Sequence, residues 1–348
     1  MIMFNIPWYV PGFVFIAMTA SIGIIKTYYI YPEAVTERTL SESTGAYVGE
    51  RTTATESRIR DNEISQNTSF MSKLDLSEES DCNITCLESV QRYRQQILNN
   101  ACVKHHGDVK PSLWNANGEI GEGQMTRLRN LFPIERLGVI YCSVPKDGTT
   151  AWKRILLAGL GHIDDLNEYP GKINPLFDKL VKPLSRYNKS EATRMLLNYK
   201  KFIFVRDPLQ RILSLFLDKA LASHAFRLKE DTFEVFLDDI LQKEIKIKSN
   251  GVDAHWTHAA FLCYPCDIKY DFIGRLETSS RDTQYVFDHF FTNFTKLLNM
   301  TRQRHGTNST SEDNRQKYIG NTNVTILNEI VKKYELDFDL FGYDKPSF

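Results

Sequence analysis

YCSVPKDGTTAWKRILL, Tyr141 to Leu157, decides how this chain folds. Its apolar start predicts a buried strand, the turn Pro145–Ala151 follows, and apolar positions at Trp152, Ile155, Leu156, Gly159 and Leu160 recur with helical period. A helix starting near Thr150 would aim its unpaired N-terminal amides into the turn, where Lys146 adds a positive charge, so the stretch predicts a cradle for a phosphate-like anion. The nucleotide-phosphate pattern GxxxxGK[ST] ends on its lysine and hydroxyl, whereas here Lys146 comes first and Thr149 and Thr150 follow, which disfavours an ATP or GTP site. A plain structural turn has the same local pattern, so a second element has to decide.

That element is KFIFVRDPLQRILSLFLDKAL, Lys201 to Leu221. Phe202 to Val205 reads as a buried strand; Asp207 and Pro208 then suit an N-cap and first-turn proline, opening a helix with apolar positions at Leu209, Ile212, Leu213, Phe216 and Ala220. Arg211, Ser214 and Asp218 fall together on its other side. Arg206 is placed at the carboxyl end of the strand, where open α/β sheets bind ligands, and an arginine fork with a nearby hydroxyl can hold a second phosphate. The alternative is a capped surface helix whose Arg206 pairs with an acid.

Together the two segments resemble the 5'-phosphosulfate and 3'-phosphate binding motifs of Golgi carbohydrate sulfotransferases. Asp253 to Thr278 (DAHWTHAAFLCYPCDIKYDFIGRLET) and Tyr334 to Tyr343 (YELDFDLFGY) resemble later motifs of the branch holding the chondroitin, dermatan and GalNAc 4-O-sulfotransferases and the HNK-1 sulfotransferase. The resemblance spans roughly Cys86 to the C-terminus. It implies a P-loop-like sulfotransferase fold and 3'-phosphoadenosine 5'-phosphosulfate (PAPS) as donor, with the sulfuryl group passing to a sugar hydroxyl. The turn Pro145, Lys146, Asp147, Gly148, Thr149, Thr150, Ala151 would then wrap the 5'-phosphosulfate. Arg206, Asp207, Pro208, Leu209, Gln210, Arg211, Ile212, Leu213 and Ser214 would hold the 3'-phosphate. Lys146 matches the motif lysine, whose ammonium can neutralise charge growing on the leaving oxygen; as a mere phosphate counter-ion it would still be a binding residue. The family commonly has cysteine and asparagine where Thr149 and Ala151 stand. Thr149 keeps a hydrogen-bond donor, whereas Ala151 does not.

The acceptor hydroxyl needs a base. His255, in the HW pair of a family block and titrating near neutrality, is the first candidate; a buried structural histidine is the competing reading, and His258, Asp253 and Glu277 are rivals. In-line displacement at sulfur calls for positioned charge rather than a metal, so none is expected.

The 348 residues carry 43 basic and 43 acidic side chains, so no global field announces a polyanionic partner, and a nucleic acid is not expected. Locally, Lys179, Lys182, Arg186, Lys189, Arg194, Lys200 and Lys201 are offset only by Glu191, either as a track for an acidic glycan or as a solvated helix face. Met1 to Ile25 lacks charge, and the apolar run from Trp8 nearly spans a ~30 Å hydrocarbon core at ~1.5 Å per residue. A transmembrane anchor is expected there, since a signal peptide would want a basic start and a small-residue cleavage site. Glu33 to Asp81 is rich in Ser, Thr and Glu without hydrophobic period, so residues 26–85 read as a flexible stem, leaving 86–348 as the catalytic domain. Sequons at Asn67, Asn83, Asn188, Asn293, Asn299, Asn308 and Asn323, with the family layout, point to a single-pass type II Golgi membrane protein whose catalytic part is lumenal.

Six cysteines, at 82, 86, 102, 142, 263 and 266, predict disulfides in an oxidising lumen. Cys82 and Cys86 with Cys263 and Cys266 are the alternative zinc set, and Cys142, in the buried strand, reads as a simple packing residue. Alternating strands and helices predict an α/β fold with a parallel sheet flanked by helices, including helices near 86–99, 283–298 and 323–334 and a strand near 270–275. The aromatic C-terminal DFDLFGYDKPSF is expected to dock on the core. Two function classes follow. One is an active PAPS-dependent glycan sulfotransferase, acting first on the 4-OH of GalNAc in chondroitin or dermatan and alternatively on terminal GalNAc or glucuronate of glycoproteins. The other is a glycan-binding relative without catalysis. Oligomeric state is not determined by sequence.

Overall fold

The structure, a computed structural model, describes residues 71, 75, 84–106, 112–163, 172–222, 232–243, 254–291 and 311–348. The expected anchor at 1–25, most of the stem, Asp253 and five of the seven sequons lie outside these residues. Among the described residues no helix is long and apolar enough to cross a membrane.

Four short strands form one sheet in the order β1-β2-β3-β4: β1 (Leu131–Ile134), β2 (Val139–Cys142), β3 (Lys200–Val205) and β4 (Phe272–Arg275). β2, β3 and β4 run parallel, whereas β1 pairs antiparallel with β2, so the expected parallel sheet is mixed. The chain reverses at Gly138, whose φ of 62° suits a residue without Cβ. Pro133 cannot donate to a ladder, and β1 is accordingly an edge strand.

Side chains alternate across the sheet and separate two cores. One face presents Ile140, Cys142, Ile203, Val205 and Ile273 to a large cluster. It includes α4 (Lys189–Asn198), α5 (Pro208–Leu215), α6 (Phe233–Gln242), α7 (Ala259–Cys263), α9 (Val324–Lys333) and α10 (Glu335–Phe341). The other face presents Tyr141, Phe202, Phe204 and Phe272 to α2 (Thr149–Gly159), α3 (Ile173–Leu180) and α8 (Ser279–Phe290). Trp152 of α2 sits 4.7 Å from the Phe204 ring and 5.0 Å from Phe202. Gly274 lets Phe204 lie on the neighbouring strand, since a Cβ there would come within 2.5 Å of that ring.

α1 (Ile84–Lys104) is longer than the predicted segment and covers the edge of β4: Gln91 exchanges two hydrogen bonds with Ile273, and Gln95 donates to Tyr270. Within the segment expected as stem, Asp75 is buried and pairs with Arg94 at 2.5 Å and Arg275 at 3.0 Å. The C-terminal aromatics dock as expected: Leu336, Phe338, Leu340 and Phe341 are buried, and Arg275 lies over the Tyr343 ring. Cys102 is bonded to Cys266 and Cys142 to Cys263, so Cys142 is more than a packing residue and ties the end of β2 to α7. Cys86 is disulfide-bonded too. These bonds engage Cys86, Cys263 and Cys266 of the alternative zinc set, and Cys82 lies outside the described residues.

Candidate active site

Because β2, β3 and β4 are parallel and adjacent, their carboxyl ends deliver three segments to one edge of the sheet: the turn after Cys142, Arg206 onward, and Leu276 to Thr278. The turn is built on two left-handed residues, Lys146 with φ 74° and Gly148 with φ 82°. A side chain at 148 would be strained by that φ and crowd Leu276 at 3.2 Å. For Lys146 the same region costs about 1–2 kcal/mol, strain that the surrounding hydrogen bonds must hold. Asp147 N donates to the Val144 carbonyl at 3.2 Å, and the Thr149 hydroxyl donates to the same carbonyl. Thr149 therefore closes the turn. α2 begins at that residue, one before the expected start, with Gly148 as N-cap and no side chain capping its first amides. Trp152 pins the helix in the aromatic core, so the amide end is rigidly placed.

α5 opens as its sequence predicts. The Asp207 carboxylate accepts from Gln210 N at 2.9 Å and Pro208 occupies the first turn. Burial, with Glu277 nearby, pushes the Asp207 carboxyl up to about 6 against the Gln210 bond. Arg206 is buried, which pulls its guanidinium below the usual arginine value; Asp147, Glu277 and Asp207 oppose that shift. Leu209, Ile212 and Leu213 pack into the core and Ser214 is buried at 2% exposure, so polar contact from this helix rests on its first turn, Gln210 and Ser214.

Arg211 lies inside the protein rather than on the helix's outer face. Its guanidinium donates to the carbonyls of Pro145 at 3.0 Å, His255 at 3.3 Å and Thr257 at 2.8 Å, and lies 3.7 Å from Asp147 and 3.8 Å from Asp337. It thus ties the Pro145–Ala151 turn to the segment carrying His255. Asp337 in turn accepts from the first amides of α7, Ala259 N at 2.8 Å and Ala260 N at 3.1 Å. Asp147 is 1% exposed, and neither carboxylate oxygen is hydrogen-bonded. Burial pushes its carboxyl well above the ordinary value, against the pull of Arg211 and Arg206.

Past Leu215 the helix widens into a π turn, Phe216–Ala222, which carries Asp218 to Lys146: Nζ donates to Oδ2 at 2.9 Å. Burial lowers the Lys146 ammonium, while Asp218 works to raise it. Burial would raise Asp218, but the hydrogen bond and charge of Lys146, together with those of Lys219, hold it below the usual carboxylate range.

Of the predicted bases, His255 is half-buried and its backbone is brought beside the turn through Arg211. His258 is buried between Phe261 and Tyr334, and burial lowers its imidazole. Glu277 is engaged by Asp207 N and the Tyr343 hydroxyl, both at 2.9 Å. Thr150 is exposed and Ala151 half-buried at the start of α2. Sequence reasoning missed the Lys146 pairing, although helical spacing placed Asp218 one turn beyond Ser214. It also missed the inward direction of Arg211, for which no local signal existed. In the basic run, Lys201 is buried against the Tyr199 carbonyl and Asp271, and Lys200 donates to the His289 carbonyl. Both stand at the amino end of β3, about 15 Å from its carboxyl end at ~3.3 Å per residue.

The sulfotransferase family profile matches residues 129–344. Rat carbohydrate sulfotransferase 10 (Rattus norvegicus) is 25% identical over 281 residues, covering 73% of this chain and 76% of the relative. Mouse carbohydrate sulfotransferase 11 (Mus musculus) is 28% identical over 251 residues, covering 64% and 69%. No solved structure matches the chain. The matched region begins just before β1 and ends in the docked C-terminus, enclosing the Pro145–Ala151 turn, Arg206 and the segment around His255; the chain belongs to the sulfotransferase family and is a PAPS-dependent sulfotransferase.

Proposed function

We propose that this chain transfers the sulfuryl group of PAPS to a sugar hydroxyl, first of all the 4-OH of GalNAc in chondroitin or dermatan. The observation that carries the donor half is the convergence of the Lys146 turn, the uncapped amides of α2 and Arg206 at the carboxyl edge of three parallel strands. These residues suit a donor with two anionic ends: the turn is shaped by left-handed backbone at 146 and 148, and the Lys146 and Arg206 side chains are largely withdrawn from water. When bound, PAPS supplies an activated sulfuryl group on a phosphate leaving group. Lys146 and the α2 amides would hold negative charge at the turn, and Arg206 and Ser214 would hold the 3'-phosphate. Lys146 offers its ammonium where leaving-group charge grows, and His255 takes the acceptor's proton.

The acceptor half rests on the names of the relatives and on the exposed cations Lys179, Lys182, Arg186, Lys189 and Arg194, which suit an acidic glycan. Sulfation of terminal GalNAc or glucuronate on glycoproteins is the second reading. The disulfides favour an oxidising compartment, and with the apolar Trp8–Ile25 run they support a Golgi membrane protein with a lumenal catalytic part. Asn188 and Asn323 are exposed N-caps of α4 and α9 that cap through Oδ1, so glycan attachment at Nδ2 is compatible with both helices.

The test is incubation of the protein with labelled PAPS and desulfated chondroitin, desulfated dermatan and glycoproteins ending in GalNAc or glucuronate. Label at the GalNAc 4-OH of the polymers is expected. Label confined to terminal sugars moves the acceptor to the second reading. Binding of 3'-phosphoadenosine 5'-phosphate without any transfer points to the non-catalytic relative. Nucleotide at ~100 times its Kd should add ~2.7 kcal/mol to unfolding free energy, and an unchanged Tm at saturating nucleotide would overturn the donor assignment.

A further inference from the structure

An anion site is strengthened by cations and weakened by carboxylates, yet Lys146 spends a hydrogen bond on Asp218 at 2.9 Å. Three features make that pair a built arrangement. Lys146 takes a left-handed φ of 74° that non-glycine residues seldom adopt, which sets the direction in which its side chain leaves the turn. Asp218 sits in a π turn interrupting α5's regular winding, 72 residues away in the chain. The ammonium end is nearly enclosed, with the lysine side chain 12% exposed, whereas Asp218 at 37% lies at the open side. An ammonium has three donors, and Asp218 takes one of them.

Resting on the sulfotransferase reading above, we propose that Asp218 is the positioning residue of Lys146, holding its ammonium over the anion turn with the remaining donors directed at the group bound there. Asp218 also supports the charge itself. Burial favours a neutral amine, Lys219 from the π turn and Arg206 from the end of β3 push the same way, and Asp218 opposes them. A neutral amine would leave the developing negative charge unmatched. The carboxylate has its own cost, since it repels the incoming anion. The two effects separate in kinetics: Asp218 should raise turnover while slightly weakening donor binding.

The test compares Asp218→Ala and Asp218→Asn in the full chain. The alanine variant should lose roughly tenfold to a hundredfold in kcat, as misplacement of a reacting group does, with nucleotide Kd unchanged or tighter. Asparagine keeps an oxygen acceptor and should recover part of kcat. A readout independent of activity is the pH at which Lys146 is half-labelled by acetic anhydride in nucleotide-free protein, followed by mass spectrometry; it should move down in Asp218→Ala. Wild-type kcat in Asp218→Ala, a nucleotide affinity that falls together with kcat, or an unmoved labelling curve would each overturn the proposal. Should the unmodified protein bind no nucleotide, the donor assignment fails, while the labelling curve still reports on the Lys146–Asp218 coupling.

Discussion

Charge is buried in two places in this protein, and the two are wired differently. Under α1, Arg94 donates to Asp75, to Asp282, to the Thr278 hydroxyl and to the Ile273 carbonyl, and Arg275 joins Asp75 and the last turn of α10. At the carboxyl edge of the sheet, Asp147 is as deeply buried but has no hydrogen bond to either oxygen, and Lys146 relies on one half-exposed carboxylate. The first cluster pairs both of its carboxylates with arginines and locks α1, β4 and α8 together. On the proposed reading the second cluster is balanced by the bound donor, which is how a site would differ from a structural network of the same residue types.

The strongest way to break this contrast is Arg94→Ala. It leaves Asp75 and Asp282 buried without their main partner and should cost about 3–5 kcal/mol in denaturant unfolding. A loss under ~1 kcal/mol, the scale of a surface pair, would mean that the network does not lock these elements. Lys146→Ala should do the opposite, sparing stability while lowering turnover roughly 100-fold to 1000-fold, the typical cost of a preorganised charge donor. Nucleotide affinity should change far less, as for an interaction made chiefly in the transition state; a variant that turns over normally and only binds nucleotide weakly would make Lys146 a counter-ion.

Asp147→Asn sharpens the comparison through pH and by a smaller margin. The raised carboxyl of Asp147 means that folding takes up a proton above the unfolded carboxylate value of ~3.9. Stability from that proton is complete below the unfolded value and is lost as pH rises through the folded one. The asparagine variant, neutral throughout, should match the unmodified protein in acid and exceed it at neutral pH. Parallel stability–pH curves for the two would show that Asp147 is satisfied in a way its geometry does not reveal. The smallest effect belongs to Thr149→Val, which removes the turn-closing hydroxyl and should cost about 1 kcal/mol with little change in nucleotide binding. A large loss of binding would place that hydroxyl on the ligand instead.

Much of the fold was legible because the signals are local. The α2 start, the Asp207–Pro208 cap and the docking of DFDLFGY follow from period, capping chemistry and composition, and the structure has each of them. β1 was missed because four residues interrupted by Pro133 carry no usable alternation, and its antiparallel sense comes from a three-residue turn and Gly138. Cys142 looked like a packing residue because its partner lies 121 residues away. Helical spacing put Arg211, Ser214 and Asp218 on one face, but the π turn displaces Asp218 toward Lys146 while packing draws Arg211 inward to three carbonyls.

By itself, then, the sequence determined the class of chemistry: a lysine at the head of a turn before a helix, an arginine after a strand, and the order of motifs that match the sulfotransferase family. Periodicity and caps act over a few residues, so they survive without knowledge of the rest of the chain. Tertiary structure alone decided which charges face one another. Lys146 with Asp218, Arg211 with the Pro145, His255 and Thr257 carbonyls, and Arg94 with Asp75 and Asp282 all join residues distant in the chain. Their energies depend on burial and on separations of a few ångströms, quantities that exist only once the sheet and its covering helices have formed.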